Sequence, residues 1–380
     1  MENVPPPRAG VASARRVVLK LGTRVLTHDD GALAFSRLVS VAETCASLRR
    51  QGREVLIVSS GAIGLGRDAL GLPATPSEVD ERQACAAVGQ TRLMSLYQEA
   101  FSRLGMLSGQ LLLTEPDFDH RDRYLNLRAA LHALLRHRVV PIINENDAIS
   151  TQELALTTGP RPVFGDNDRL SALVATKLDA DLLVLFTDVG GLYDRDPRED
   201  PGASLIPRVD RPDELGELPA PPSAGAGRGG MRSKVEAAMV ASRGGCHVVI
   251  TSGREPERWP ALFRGDEIGT WFPARSGLHA RQRWIAFAAA SRGVLFLDDG
   301  AVEALTGRHA SLLAAGVTSV EGQFRTGDVV ELRGGGRRLG RGIIAWDAPT
   351  VRAWCAGSPP AGVRNAHALI RRDDIVLETT

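Results

Sequence analysis

Three lysines stand out in a chain that otherwise carries its positive charge on arginine. The sequence has 46 lysines and arginines, and only Lys20, Lys177 and Lys234 are lysines. A lysine ammonium is compact and fits where a planar guanidinium does not. Lys20 closes an apolar run directly before Gly22, and Lys234 opens a predicted helix after a glycine-rich stretch. Glycine-rich turns and helix N-termini bind phosphate, so these two lysines are candidate phosphate ligands.

The third lysine and one aspartate fall on the same predicted helix. Lys177 falls late in a predicted helix, where a cation favours the helix dipole, and we interpret it as structural. Asp168 falls in the first turn of the same helix, after Gly165. A phosphoryl-transfer site must position two substrates and neutralise charge on the transferring group. Lys20, Asp168 and Lys234 are therefore the candidate catalytic residues.

Other chemistries have weaker support. The P-loop pattern G-x-x-x-x-G-K-[ST] is absent. A G-x-G-x-x-G string at 225–230 follows prolines rather than a strand, and the looser form at 64–69 lacks the acidic residue that ribose binding requires. The eight histidines are scattered, and the four cysteines are far apart, as expected for reduced thiols in a cytoplasmic protein. No apolar run reaches the roughly 18 residues of a membrane helix. The net charge of +1 argues against membrane or non-specific nucleic-acid binding.

The elements that must position these residues alternate between buried strands and helices. Runs of valine, isoleucine and leucine predict strands at 15–20, 54–58, 106–113, 139–143, 181–186 and 246–250. Helical spacing predicts helices at 35–51, 77–105, 123–138, 166–178 and 231–243. This alternation predicts an α/β fold with a mainly parallel sheet sandwiched between helices. Ligands bind beyond the carboxyl ends of such strands, here residues 20–23, 59–66, 144–147 and 187–188.

The pattern changes after about Pro273. Residues 271–277 are predicted to form a linker, and short strands follow at 293–297, 317–320, 328–332 and 342–346. One short helix is expected near 301–305, and residues 347–349 are expected to form a turn. This part is predicted to be a small β-rich barrel or sandwich.

Six segments in order resemble the glutamate 5-kinase family, which has the amino acid kinase fold. They are VVLKLGT at 17–23, VSSGAI at 58–63, AVGQ at 87–90, INEND at 143–147, GDND at 165–168 and GGMRSK at 229–234. The C-terminal part is similar to a PUA domain through DDGA at 298–301, SLL at 311–313 and GQF at 322–324. The resemblance implies an amino acid kinase domain at 14–273 and a PUA-like barrel at 280–372.

The resemblance also implies an activity and site residues. The reaction would be ATP-dependent phosphorylation of the γ-carboxylate of L-glutamate to L-glutamyl 5-phosphate, with Mg²⁺ carried on ATP and no metal ligands from the protein. Asp168 would orient both lysines, and Ser60, Asp147 and Asn167 would bind glutamate. The residues implied for ATP binding are Lys20, Thr187, Asp188, Arg228, Gly229, Gly230, Met231, Arg232, Ser233 and Lys234.

The residue types agree with these roles. Asp147 at a strand exit can accept from an ammonium, and Ser60 and Asn167 can donate to a carboxylate. A carboxylate substrate is already ionised at neutral pH, so no general base is required. Each of these polar residues is also favoured in ordinary turns and caps, which leaves a purely structural interpretation open.

The resemblance implies several partners as well. The reaction would be the first step of proline biosynthesis in the cytoplasm, with proline as feedback inhibitor and a glutamyl-phosphate reductase to take up the labile product. A homo-oligomer is expected. RNA is a possible partner of PUA domains, but residues 284–380 hold 11 arginines, no lysine and 10 acidic residues, so RNA is not favoured.

Two alternatives remain: another amino acid kinase, acting on acetylglutamate or aspartate, and an RNA-binding protein with a degenerate kinase domain. The sequence departs from the family pattern at Arg24, Arg228 and Ser233 and in a longer loop at 155–163. These departures concern the nucleotide contacts and the proline response.

Overall fold

The computed structural model describes most of the chain as two compact units. The described residues are 8–28, 32–119, 121–149, 167–211, 230–275, 285, 291–308, 310–357 and 368–377. One unit comprises residues 1–115 and 127–276, and the other comprises residues 116–126 and 277–380. Among the described residues, no helix is long and apolar enough to span a membrane.

The first unit is built on a seven-stranded sheet. Its strands are β1 (Arg16–Leu21), β2 (Glu54–Ser59), β3 (Ser108–Leu113), β4 (Val140–Glu145), β5 (Leu182–Thr187), β6 (His247–Ser252) and β7 (Thr270–Phe272). The strand order is β3-β4-β2-β1-β5-β6-β7, and all neighbours pair in parallel except β6 and β7. The central strands are apolar and buried because both of their faces are covered. The mainly parallel sheet predicted from the sequence is confirmed.

Helix α1 precedes β1, and helices α2 to α10 lie between consecutive strands from β1 to β7. They are α1 (Ala9–Ala12), α2 (Thr23–Leu26), α3 (Phe35–Arg50), α4 (Ala62–Ala69), α5 (Val79–Ser102), α6 (Glu115–Asp119), α7 (Arg121–Arg136), α8 (Asn167–Lys177), α9 (Met231–Arg243) and α10 (Trp259–Arg264). Helix α8 is buried on almost every side, which accounts for its run of small and branched apolar residues. Asp166, the first residue of the helix predicted at 166–178, lies outside the described residues.

The strand order gathers the polar strand exits at one place. Strands β4, β2, β1 and β5 are consecutive neighbours, and in register Lys20 lies between Val58 of β2 and Leu185 of β5. Their carboxyl ends therefore share one edge, as the parallel arrangement requires. Gly61, at φ +107°, has the left-handed conformation that glycine adopts without strain and allows α4 to begin just after β2.

One prediction about this unit is wrong. Residues 271–277 were predicted to be a linker, but Trp271 and Phe272 belong to β7, which pairs antiparallel with β6. Phe272 is fully buried. A strand of three residues gives too short a pattern to be recognised in sequence, and its pairing with β6 comes from tertiary packing.

The second unit is β-rich, as predicted. Its strands are β8 (Gly293–Leu297), β9 (Leu312–Leu313), β10 (Val317–Gly322), β11 (Val329–Gly334), β12 (Arg337–Ile343), β13 (Ala368–Ile370) and β14 (Ile375–Leu377). Five of them form a sheet in the order β10-β8-β11-β12-β14, and β13 pairs with β9. Among the described residues from 291 onward there are two α-helices, α11 (Asp299–Arg308) and α12 (Ala348–Cys355), so the prediction of a single helix is wrong. The predicted turn at 347–349 begins α12, because Asp347 accepts a hydrogen bond from Thr350 N as an N-cap.

Candidate active site

Two lysines and one aspartate form a buried cluster. Lys20 Nζ lies 2.6 Å from Asp168 Oδ1, and Lys234 Nζ lies 3.1 Å from Asp168 Oδ2. The exposed fractions of Lys20, Asp168 and Lys234 are 2%, 0% and 6%. Each carboxylate oxygen thus binds a different ammonium, and the three groups together carry one net positive charge. The sequence predicted these three residues as a catalytic set, and the structure brings them together.

Three elements position this cluster. Lys20 is near the end of β1, Asp168 is in the first turn of α8, and Lys234 is in the first turn of α9. The Ser233 hydroxyl lies 2.9 Å from Asp168 Oδ2 and 3.1 Å from the carbonyl of Gly230. The N-terminal ends of two helices therefore meet the central strand at the cluster, where their dipoles favour an anion such as phosphate.

A second polar group lies beside the cluster and consists of amides and a hydroxyl. Asn167 Nδ2 donates to Ser60 Oγ at 2.9 Å and to Asn144 Oδ1 at 3.0 Å. Asn144 Oδ1 also accepts from the backbone N–H of Glu145 at 2.9 Å. Asn144 Nδ2 donates to Gln90 Oε1 at 2.8 Å. These bonds form a continuous amide chain that starts at the residue before Asp168 and ends at Gln90.

This geometry bears on the predicted role of Asn167. Both hydrogens of its amide are engaged, one with Ser60 Oγ and one with Asn144 Oδ1. Because Ser60 Oγ accepts from Asn167, the Ser60 hydroxyl can donate its own hydrogen to a substrate carboxylate. The arrangement therefore favours Ser60 as the donor and Asn167 as the residue that orients it.

A cavity of about 210 Å³ lies at the end of β4, next to the amide chain. Two carboxylates on its wall, Glu145 and Asp147, are only 5% and 8% exposed. Buried carboxylates favour a cationic group, so this wall suits the ammonium of an amino acid. The remaining lining residues are Ala62, Ala86, Ala87, Gln90, Thr91, Gln110, Leu112, Asn146 and Ala148.

The carboxyl end of β5 carries a separate charged group. Thr187 Oγ1 donates to Asp188 Oδ1 at 3.1 Å, Arg24 NH1 donates to Asp188 Oδ2 at 3.1 Å, and Arg198 NH1 lies 3.6 Å from the same oxygen. Burial alone would raise the pKa of Asp188, but its hydrogen bonds, that from Arg24 first, hold it below its ordinary value. Asp188 is therefore a stable anion that holds two arginines at this strand exit.

The predicted nucleotide segment is described in part. Gly230, Met231, Arg232 and Ser233 lead into or begin α9, in the same turn as Lys234. Arg232 is exposed and pairs with Glu236 at 3.1 Å. Arg228 and Gly229 lie outside the described residues, so their predicted contacts with ATP stay predictions, as do those of Thr187 and Asp188.

Comparison with known proteins identifies the family. The profile of the amino acid kinase family matches residues 15–252, more than half of the chain. The chain belongs to the amino acid kinase family. A PUA domain profile matches residues 293–358, which confirms the predicted character of the second unit. The predicted boundaries of the two domains, 14–273 and 280–372, stay predictions.

Members of this family are similar in sequence to this chain over nearly its whole length. A glutamate 5-kinase of Myxococcus xanthus (strain DK1622) is 44% identical over 99% of this chain and 100% of that protein. One of Synechococcus sp. (strain JA-3-3Ab) is 45% identical over 96% and 99%, respectively. Among solved structures, a UMP kinase from Bacillus anthracis is 16% identical, with a TM-score of 0.47 over 70% of this chain and 98% of that chain. The resemblance to glutamate 5-kinases is thus confirmed by sequence, and the protein is a kinase.

Gln90 and Asn144 in the candidate site were not assigned a role from sequence. Both fall within segments that carry the family resemblance, but amides are common in helices and turns for other reasons. Only the fold shows that they join Asn167 in one chain of hydrogen bonds. Lys177, interpreted from sequence as a cation at a helix end, is the last residue of α8 but is only 3% exposed. It therefore belongs to the interior of the kinase domain.

Proposed function

We propose that this kinase transfers the γ-phosphoryl group of ATP to the γ-carboxylate of L-glutamate and forms L-glutamyl 5-phosphate. A carboxylate oxygen bonds to the γ-phosphorus, the bond from that phosphorus to the β–γ bridging oxygen breaks, and ADP leaves. No proton has to move, because a carboxylate is ionised at neutral pH.

The observation that supports this proposal most strongly is the pairing of Lys20 and Lys234 on Asp168. Negative charge spreads over the oxygens of a phosphoryl group during transfer, and preorganised cations stabilise that charge. Asp168 holds both ammonium groups in place at 2.6 Å and 3.1 Å. It therefore acts as an orienting group, and the two lysines act on the phosphates.

The acceptor site beside this cluster suits an amino acid. Asp147 and Glu145 favour the ammonium of glutamate, and the Ser60 hydroxyl, oriented by Asn167, donates to its γ-carboxylate. Similarity to glutamate 5-kinases over almost the whole chain supports the same substrate. Acetylglutamate lacks a free ammonium and so would not match the two buried carboxylates.

The nucleotide would lie across the ends of β5 and α9. Thr187, Asp188 and residues 228–234 are the residues proposed to line its site. Mg²⁺ would bind to the triphosphate, where it supplies further positive charge. Among the described residues, no group of three or more histidine, cysteine or acidic side chains could hold a metal ion. Asp168, the carboxylate at the centre, is engaged by two lysines, which fits a cation carried on ATP.

The wider role that follows is the first step of proline biosynthesis in the cytoplasm. Proline is proposed as feedback inhibitor, and a glutamyl-phosphate reductase is proposed as a partner because acyl phosphates hydrolyse readily. Self-association into a homo-oligomer is part of the same proposal. Relatives named glutamate 5-kinase support this role through the reaction that their name states.

One assay tests substrate, reaction and regulation together. With Mg-ATP and hydroxylamine, the full-length protein should form γ-glutamyl hydroxamate from L-glutamate but no hydroxamate from N-acetylglutamate or L-aspartate. Added proline should lower the rate. Preference for either other acceptor would assign the protein to another branch of the amino acid kinase family, and absence of turnover with all three would refute the proposed kinase reaction.

A further inference from the structure

The cavity wall contains a buried amide that the proposed function does not yet use. Gln90, on α5, is 8% exposed and lines the cavity beside Asp147. Its Oε1 accepts from Asn144 Nδ2, whereas its Nε2 is buried and has no hydrogen-bond partner within the described part of the chain. Burying an amide N–H group without an acceptor is unfavourable, so such a group at a cavity wall indicates that a ligand supplies the acceptor.

The hydrogen-bond chain fixes which end of the Gln90 amide is left over. Asn144 Oδ1 accepts from the backbone N–H of Glu145, and a backbone N–H can only donate. The other end of the Asn144 amide, Nδ2, must therefore face Gln90. It donates there, so Gln90 presents Oε1 to Asn144 and keeps Nε2 for another acceptor. Asn144 thus acts as a positioning residue for Gln90.

The position of Gln90 in the chain of hydrogen bonds indicates which group of the substrate it contacts. The γ-carboxylate must lie at the lysine cluster on Asp168, next to Asn167. Gln90 is separated from Asn167 by the whole of Asn144, and it shares the cavity with Asp147. The group expected there is the other end of glutamate, where an ammonium and an α-carboxylate are attached to one carbon.

We propose that Gln90 Nε2 donates a hydrogen bond to the α-carboxylate of the amino-acid substrate, while Asp147 and Glu145 bind its ammonium. A neutral amide suits this task because it can bind an anion without pairing with the two carboxylates nearby. Gln90 is therefore a specificity-determining residue that requires an α-carboxylate on the substrate. The inference rests on the proposed glutamate kinase reaction.

The experiment compares Gln90→Leu and Gln90→Glu with Gln98→Leu, in which an exposed glutamine of the same helix α5 is changed. We expect Gln90→Leu to raise KM for glutamate about tenfold to a hundredfold, as for a lost hydrogen bond to a charged group, with KM for Mg-ATP within about twofold. Gln90→Glu keeps an acceptor for Asn144 but replaces the donor with a carboxylate, so its KM for glutamate should rise further. Gln98→Leu should match the wild type.

A substrate analogue separates this contact from a general loss of structure. 4-Aminobutyrate is glutamate without the α-carboxylate, and its inhibition constant should be the same for the wild type and Gln90→Leu. An inhibition constant that rises in parallel with KM, or a KM for glutamate that stays at the wild-type value, would overturn the inference. Thermal unfolding of each variant shows that it is folded. Failure of the wild type to phosphorylate glutamate would instead refute the proposed function.

Discussion

At Asp168, two ammonium groups from different elements bind the two oxygens of one buried carboxylate. Removing one partner from such a buried cluster leaves an uncompensated charge, which commonly costs about 3–5 kcal/mol. A guanidinium in place of either ammonium would hold its charge farther from the backbone and spread it over a planar group. This is the physical reason for lysine rather than arginine at positions 20 and 234.

Substitution of these lysines tests that reasoning. We expect Lys20→Arg and Lys234→Arg each to lower kcat by about a hundredfold or more, because the cation no longer meets the developing charge in the same place. Lys177→Arg is the matched control: Lys177 is equally buried but lies at the far end of α8 from Asp168. It should lower thermal stability through overpacking and leave kcat of the folded enzyme unchanged. Similar kcat values for all three variants would contradict the role assigned to the two lysines.

The individual site residues differ in how far sequence could predict them. Lys20 and Lys234 were found because lysine is rare here and both occur beside glycines. Asp168 was found because a carboxylate at a helix start near Gly165 is chemically informative. The amide chain through Asn144 and Gln90 could not be found, since it joins residues that are 54 apart in sequence and depends on which end of each amide faces its neighbour.

Helices α4 and α5, which contribute to the cavity wall, touch through glycines. A Cβ atom on Gly66 would lie 1.8 Å from the carbonyl oxygen of Cys85, and one on Gly89 would lie 1.7 Å from that of Ala62. The backbones are therefore closer than any side chain permits. This close approach sets the distance between α4 and the Gln90 side of the cavity.

Two substitutions on α4 test this contact. Gly66→Ala should destabilise the protein by about 1–3 kcal/mol or more, because a backbone has to move. Gly64→Ala, two residues earlier, meets open space and should be neutral or stabilising by up to about 1 kcal/mol, since alanine favours a helix over glycine. Urea unfolding of both variants gives the comparison. Equal stability of the two variants would show that the helices can separate without cost.

His247 on β6 should make stability depend on pH. Its Nδ1 accepts from the backbone N–H of Ala274 at 3.0 Å, and burial lowers its pKa below the ordinary value, although Asp181 raises it slightly. The unfolded chain binds a proton below about pH 6.5, whereas the folded chain does not until a lower pH. Stability should therefore fall as the pH drops from about 6.5 through the lowered pKa.

Denaturant unfolding between pH 7.5 and 5.5 measures this dependence. In His247→Asn the side-chain oxygen can still accept from Ala274 but does not titrate, so the loss of stability toward acid should be smaller than in the wild type. His132, whose pKa is also lowered by burial, is present in both proteins and cancels in the comparison. Parallel pH curves would exclude His247 as the source.

Long elements of secondary structure could be predicted from sequence, whereas some short ones could not. Strands β1 to β6 were predicted because each is a continuous apolar run between helical segments. Strand β7 and helix α12 were missed because they are short and begin at residues that also signal linkers and turns, as Asp347 does. Asp347 is in fact the N-cap of α12. Local composition indicates where an element begins or ends, whereas tertiary packing determines whether a strand, a helix or a turn forms there.

Across the whole chain, charge is balanced at 46 basic and 45 acidic residues. In the PUA domain, Arg333 lies 2.6 Å and Arg338 3.5 Å from Glu331, so one carboxylate of the same sheet partly neutralises both arginines. This arrangement reduces the positive field that RNA binding requires.

A salt series tests the alternative of an RNA-binding protein. In filter binding with structured and single-stranded RNA, we expect weak binding at 50 mM salt and none at 200 mM, together with full kinase activity of the same preparation. Tight binding with a steep dependence on salt concentration would contradict this expectation. If such binding were accompanied by no turnover of ATP, the kinase assignment of the site would fail as well.

The burial of all three lysines has a practical consequence for the intact protein. With 2%, 3% and 6% of their surfaces exposed, they leave the outside of the molecule without primary amines from side chains. An N-hydroxysuccinimide ester should therefore acylate the three lysine side chains only when the interior opens to the reagent. Peptide mapping of the slow acylation at Lys20 and Lys234 would then report opening of the phosphate site, and saturating ATP should slow it while leaving the rate at Lys177 unchanged.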